Sequence, residues 1–74
     1  MRKTLKSKRQ ENNLKVDETA KILNISASHY YKIESGIRNP NFILAGKIAK
    51  LFESNVDDLF FENNLDDSSN KKLA

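Results

Sequence analysis

The stretch from Ala20 to Ile33 constrains this chain more than any other. It reads as a small residue, a turn former four positions later at Asn24, and two further apolar positions at Tyr30 and Ile33. A small side chain at Ala20 lets two helices cross closely. Asn tolerates the left-handed backbone that a tight turn demands. Tyr30 and Ile33, three apart, then seat a second helix against the first. Two short helices joined at a steep angle are the natural product of such spacing.

The surrounding sequence extends the same logic. No period-two alternation is sustained, so no strand is expected. The first helix is predicted over residues 4–12, with Leu5 and Arg9 on one side and Leu14 as an anchor after it. Val16–Leu23 follows, carrying Val16, Thr19, Ala20 and Leu23 on one stripe. Asp17 and Glu18 suit its positive end, whereas Lys15 is a poor cap. Ser26 caps Ala27–Ser35, and Gly36 stops it. Asn41 caps a fourth helix over 42–52, and Asn55 a fifth over 56–61. The expected fold is all-α, a compact five-helix domain over residues 1–61, with a polar, disordered tail over 62–74.

Size and composition narrow the function. The 74 residues allow one domain and contain no Cys, so no disulfide or thiolate site can staple it. No apolar run approaches the ~20 residues of a membrane span, and no signal peptide is apparent, so a cytoplasmic setting is expected. His29 is the sole histidine and cannot build a tetrahedral metal site alone. Asp57-Asp58 and Asp66-Asp67 read as helix-start and tail charges rather than a catalytic pair. The two glycines form no phosphate-cradling loop. An enzyme is not expected, nor a cofactor, metal or small-molecule ligand. Charge is uneven. Residues 1–50 hold 11 Lys/Arg against four Asp/Glu, and residues 51–74 hold two against six. The basic part could face a polyanion that the acidic end would avoid.

Projected at about 100° per residue, Ala27–Ser35 buries Tyr30 and Ile33, flanked by His29 and Glu34. Ser28, Tyr31, Lys32 and Ser35 face away, with Ala27 at the border. That face holds hydroxyls, an aromatic and a cation, with no acid. Such groups suit base edges in a major groove. Taken alone, the same face also reads as an ordinary solvated surface. Joined to Ala20 and Asn24, it follows the logic of a helix-turn-helix.

At this point the chain resembles the Cro/phage-repressor-like helix-turn-helix regulators, the XRE family. The resemblance is carried by LKSKRQENNL, TAKILNIS, YYKIESGIRNP, KIAKLF and VDDLFF, in that order, from Leu5 to Phe61. It implies a sequence-specific double-stranded-DNA-binding regulator, a repressor of bacterial or phage type. It implies that Ala27, Ser28, Tyr31 and Lys32 read bases or adjoining phosphates. It places Arg38, Asn39 and Asn41 in a loop on the sugar-phosphate backbone, and Arg9 and Glu34 in an internal ion pair. Three positions depart from the family pattern: Val16 where Gln is frequent, Asn24 where Gly is usual, and Tyr30 where Ile or Val is commoner. The Tyr30 hydroxyl needs a partner or an exit to water.

One short reading helix carries little sequence information. A homodimer on a pseudo-palindromic operator is therefore expected. Its interface is predicted at Leu51, Val56 and Phe61, on the acidic end that should point away from DNA. The competing reading is a helical interaction module, such as an antitoxin, whose main partner is a protein.

Overall fold

The computed structural model describes residues 1–61; the expected tail and the Asp66-Asp67 pair lie outside them. Five helices follow one another: α1 Lys3–Glu11, α2 Val16–Leu23, α3 Ala27–Ser35, α4 Phe42–Leu51 and α5 Val56–Phe60. No strand occurs among the described residues. The fold is all-α. The structure shifts α1 by one residue and ends α4 and α5 one residue earlier than the sequence suggests.

Each of the first four helices is followed within two residues by a left-handed residue. Asn13, Asn24, Gly36 and Glu53 have φ of 58°, 62°, 89° and 52°. After α1, α2 and α4 this turn lets an amide reach back to a carbonyl near the helix end. Leu14, Ile25 and Ser54 donate to Arg9, Ala20 and Ala49 at 3.2, 3.0 and 2.9 Å. Starts are equally explicit. Ser26, Asn41 and Asn55 accept from the backbone amides of His29, Leu44 and Asp58. Lys15 cannot accept such a bond. Glu18 compensates by accepting from the Lys15 amide at 2.8 Å, which also explains that acid structurally.

Leu5, Leu23, Tyr30, Ile33, Ile48, Phe52 and Leu59 form the core, with Ala20 and Ala49 where backbones approach. α2 packs on α3, and α5 closes the bundle against α1 and α4. Val56 and Phe60 are half-buried against this core, and Leu59 is fully inside it.

One polar cluster penetrates the core. Glu34 is 2% exposed. Arg9 grips it with two bonds, Nε to Oε2 at 2.8 Å and Nη2 to Oε1 at 3.0 Å. The third side of the guanidinium donates to the Leu14 carbonyl at 2.8 Å. Tyr30, wholly buried, donates its hydroxyl to Glu34 Oε2 at 2.9 Å. That is the partner its hydroxyl requires. No buried side-chain N or O among the described residues lacks a bond. The bond to Glu34 holds the Arg9 guanidinium above its ordinary range.

Glu34→Ala leaves a largely desolvated guanidinium behind. It is expected to cost about 3–5 kcal/mol, a large share of the stability of so small a domain. Urea denaturation should show it mostly unfolded under conditions where wild type is folded. Tyr30 gives a pH signature. Burial, then the Glu34 carboxylate, push its phenol above the ordinary value of 10. A group whose value is raised by folding keeps its stabilising contribution below its unfolded value and loses it as pH climbs beyond. The contribution is thus intact below about pH 10 and declines above it. Tyr30→Phe should cost about 1 kcal/mol at neutral pH. Its melting temperature should then fall less steeply than that of wild type above pH 10.

Candidate nucleic-acid interface

Packing α3 through Tyr30, Ile33 and Glu34 decides which side it shows. Ala27, Ser28, Tyr31 and Lys32 are all exposed, and Tyr31 retains 51% of its surface. Ser35 departs from the sequence reading. It is half-buried, and its hydroxyl donates to the Lys32 carbonyl at 3.1 Å. The exposed face is therefore shorter than projected, about one and a half turns, and carries one formal charge.

The end of α3 is tied to the loop that follows. The Lys32 carbonyl also accepts from the Arg38 amide at 3.1 Å, and Ile33 from Gly36 at 3.1 Å. Gly36 sits at φ 89°, where a side chain would be strained, and the Met1 nitrogen lies 3.6 Å from where a Cβ would project.

Arg38, Asn39 and Asn41 are exposed. The two asparagines share a chemical feature. Asn41 Oδ1 accepts from the Leu44 amide at 2.8 Å. Asn39 Oδ1 accepts from Arg2 Nη2. Both oxygens are used within the protein, so each amide keeps its Nδ2 hydrogens for an external acceptor. Two amide donors and a guanidinium in four residues form a set that matches phosphate oxygens. The adjoining start of α4 adds the positive end of a helix dipole.

Arg2 is the residue that sequence reasoning missed. It looks like one more surface cation. In fact it is half-buried and reaches Ile33, Asn39 and Phe60, which are 31, 37 and 58 positions away. No local spacing could disclose such partners.

The residues assigned to a dimer seam border two grooves. Leu51 is half-buried and borders a groove with Ile22, Asn24, Lys47 and Lys50. Val56 and Phe61 border a different groove, with Asn39, Pro40, Ala45 and Phe60. Phe61 keeps 45% of its surface. This groove adjoins the phosphate-type loop, whereas the sequence reading put that end away from DNA. Ile37, Phe42 and Ile43 are also exposed around the loop. His29 is half-buried beside Asn24, Asn41 and Lys47. No cluster of metal-ligating side chains forms among the described residues, and none of their helices is long and apolar enough to cross a membrane.

The sequence profile of the helix-turn-helix family matches residues 5–59, from the first core leucine to the last. The chain belongs to the helix-turn-helix family. A relative from Methanocaldococcus jannaschii, described as an uncharacterized HTH-type transcriptional regulator, is 38% identical over 60 residues. The match covers 81% of this helix-turn-helix chain and 91% of the relative. No solved structure shows a significant match.

Proposed function

We propose that this protein is a sequence-specific DNA-binding transcriptional repressor of the XRE type, acting in the cytoplasm as a homodimer on a pseudo-palindromic operator. The coarse part, a DNA-binding transcription regulator, rests on the family and on the description of the archaeal relative. The observation that carries the finer part is the acid-free exposed face of α3, fixed rigidly beside a loop of outward donors. In this reading residues 1–61 form the DNA-binding domain. Ala27, Ser28, Tyr31 and Lys32 enter the major groove, with Ser28 and Lys32 one turn apart at base edges. Arg38, Asn39 and Asn41 hold phosphates. Val16 leaves the start of α2 without a phosphate donor on its side chain.

The exposed Ile37, Phe42 and Ile43 favour the rival reading, an antitoxin-like module with a protein partner. Capture of one stoichiometric protein by a chain with no salt-sensitive DNA binding would select that rival.

Selection from random duplex DNA should yield an operator, and two substitutions then separate the roles. Lys32→Ala should cost about 1–3 kcal/mol and relax preference at one or two base pairs. Arg38→Ala should weaken specific and random duplexes alike and lower the salt slope by about one counterion. Equal losses on all sequences for Lys32→Ala would move Lys32 to the backbone.

For the dimer, the seam is centred on Phe61 and Val56, beside the loop. That placement would set two copies edge to edge near the operator's centre, with half-sites about one helical turn apart. Leu51 borders the separate groove and lies outside this seam. Phe61→Asp should give a folded monomer that binds one half-site normally and the full operator far more weakly. Sedimentation of wild type as a monomer at tens of micromolar, with one-to-one binding to the full operator, would rule the dimer out.

A further inference from the structure

Arg2 lies at the junction of α3, α5 and the loop that follows α3. Its own amide donates to the Glu34 carbonyl at 2.8 Å. Its Nε donates to the Ile33 carbonyl at 2.8 Å, and its Nη1 to the Phe60 carbonyl at 3.2 Å. Its Nη2 donates to Asn39 Oδ1. The guanidinium carbon sits 5.1 Å from the centre of the Phe60 ring.

These bonds have a common chemistry. Ile33 and Glu34 belong to the last turn of α3, and Phe60 closes α5. Their carbonyls lie at negative helix ends, where a cation is favourable. A planar guanidinium offers donors along three edges at fixed angles and so can bond α3, α5 and the loop at once. A lysine ammonium is a single centre on a flexible stem and cannot span them.

The bond to Asn39 fixes more than position. A guanidinium has no acceptor, so it can engage only the oxygen of the Asn39 amide. The Nδ2 hydrogens must then turn away from Arg2. A phosphate oxygen accepts and cannot donate, so this is the one amide orientation that suits it. The same Arg2 holds the carbonyl end of the helix whose Lys32 is joined to Arg38 through the backbone.

We propose that Arg2 is a positioning residue for DNA binding: it locks the Asn39 amide with its donor outward and fixes the loop to the end of the reading helix. This rests on the DNA-binding reading above. Arg2 spends its donors inside the protein and touches no base or phosphate itself.

The test uses the full chain with Arg2→Lys, Asn39→Ala and the double variant, measured on the selected operator across a salt series, with melting temperatures alongside. Arg2→Lys keeps the charge and removes the clamp. Each single variant should bind about tenfold more weakly, the effect of losing one phosphate hydrogen bond. The double variant should be no worse than the weaker single, because both remove the same contact. Salt slopes should stay at the wild-type value, since no counterion-releasing charge is lost.

Three results would overturn the proposal. One is Arg2→Lys melting earlier yet binding with full affinity at a temperature where it is folded, which makes Arg2 structural only. Another is the double variant losing the product of the two single effects, which makes the residues independent. The third is Asn39→Ala binding like wild type. This last variant removes an exposed side chain and leaves the core intact, so it decides alone if Arg2→Lys is unfolded: full affinity overturns the proposal, and a tenfold loss at constant slope supports it. Wild type failing to bind any duplex would overturn the functional reading and this inference together. Wild type binding normally with an unaffected Asn39→Ala overturns this inference alone.

Discussion

A single buried carboxylate organises this domain. Glu34 sits on the helix meant to face outward, yet its side chain points into the core and is held by Arg9 from α1 and Tyr30 from its own helix. A charge at 2% exposure is tolerable only with its bonds complete. The two-pronged Arg9 grip has one good geometry, so α3 cannot roll about its axis without breaking it. Apolar contacts at Tyr30 and Ile33 set how deep α3 sits; the Glu34 cluster sets its rotation. Rotation decides which residues are presented. A roll of one residue would turn Lys32 or Tyr31 out of line and bring an acid toward the surface.

A second constraint carries this precision past the end of the helix. Gly36 turns the chain sharply, and the Arg38 amide returns to Lys32. Arg2 bonds the Ile33 and Glu34 carbonyls of α3. α3 and the loop beside it therefore form one rigid piece. A DNA-binding surface needs such a piece, because base contacts are productive only when the backbone contacts set the same register. Phe61 and Val56 border the groove that includes Asn39 and Pro40, so a neighbouring copy docked there would inherit the register directly.

Most of the fold was legible because it is punctuated. Asn24, Ser26, Gly36 and Asn41 each announce a turn or cap by chemistry that few other residues share, and the ends of α2 and α3 were placed to the residue. The outward placing of Ser28, Tyr31 and Lys32, with Ala27 at the border, followed from helical periodicity. Glu53 was not legible. It adopts a left-handed backbone with no Gly or Asn to signal it, and the reading therefore ran α4 on by one residue. Ser35 was misplaced because a hydroxyl can fold back onto its own helix, which a wheel does not show. The shared groove of Phe61 and Asn39 was missed for another reason: it depends on how α5 crosses the α3–α4 loop, a tertiary fact with no local spacing.

The same structure revises what the charge distribution means. Residues 1–50 appear strongly basic, but two of their arginines are not available to a polyanion in the ordinary way. Arg9 is neutralised by Glu34, its side chain only 11% exposed. Arg2 has turned its donors toward helix ends. The exposed face of α3 and the loop after it present Lys32 and Arg38 as full charges, beside neutral amides and hydroxyls. Counterion release acts on any sequence, whereas oriented hydrogen bonds act only in register. In the dimer proposed above, a second copy of α3 would add the in-register contacts that one short helix lacks.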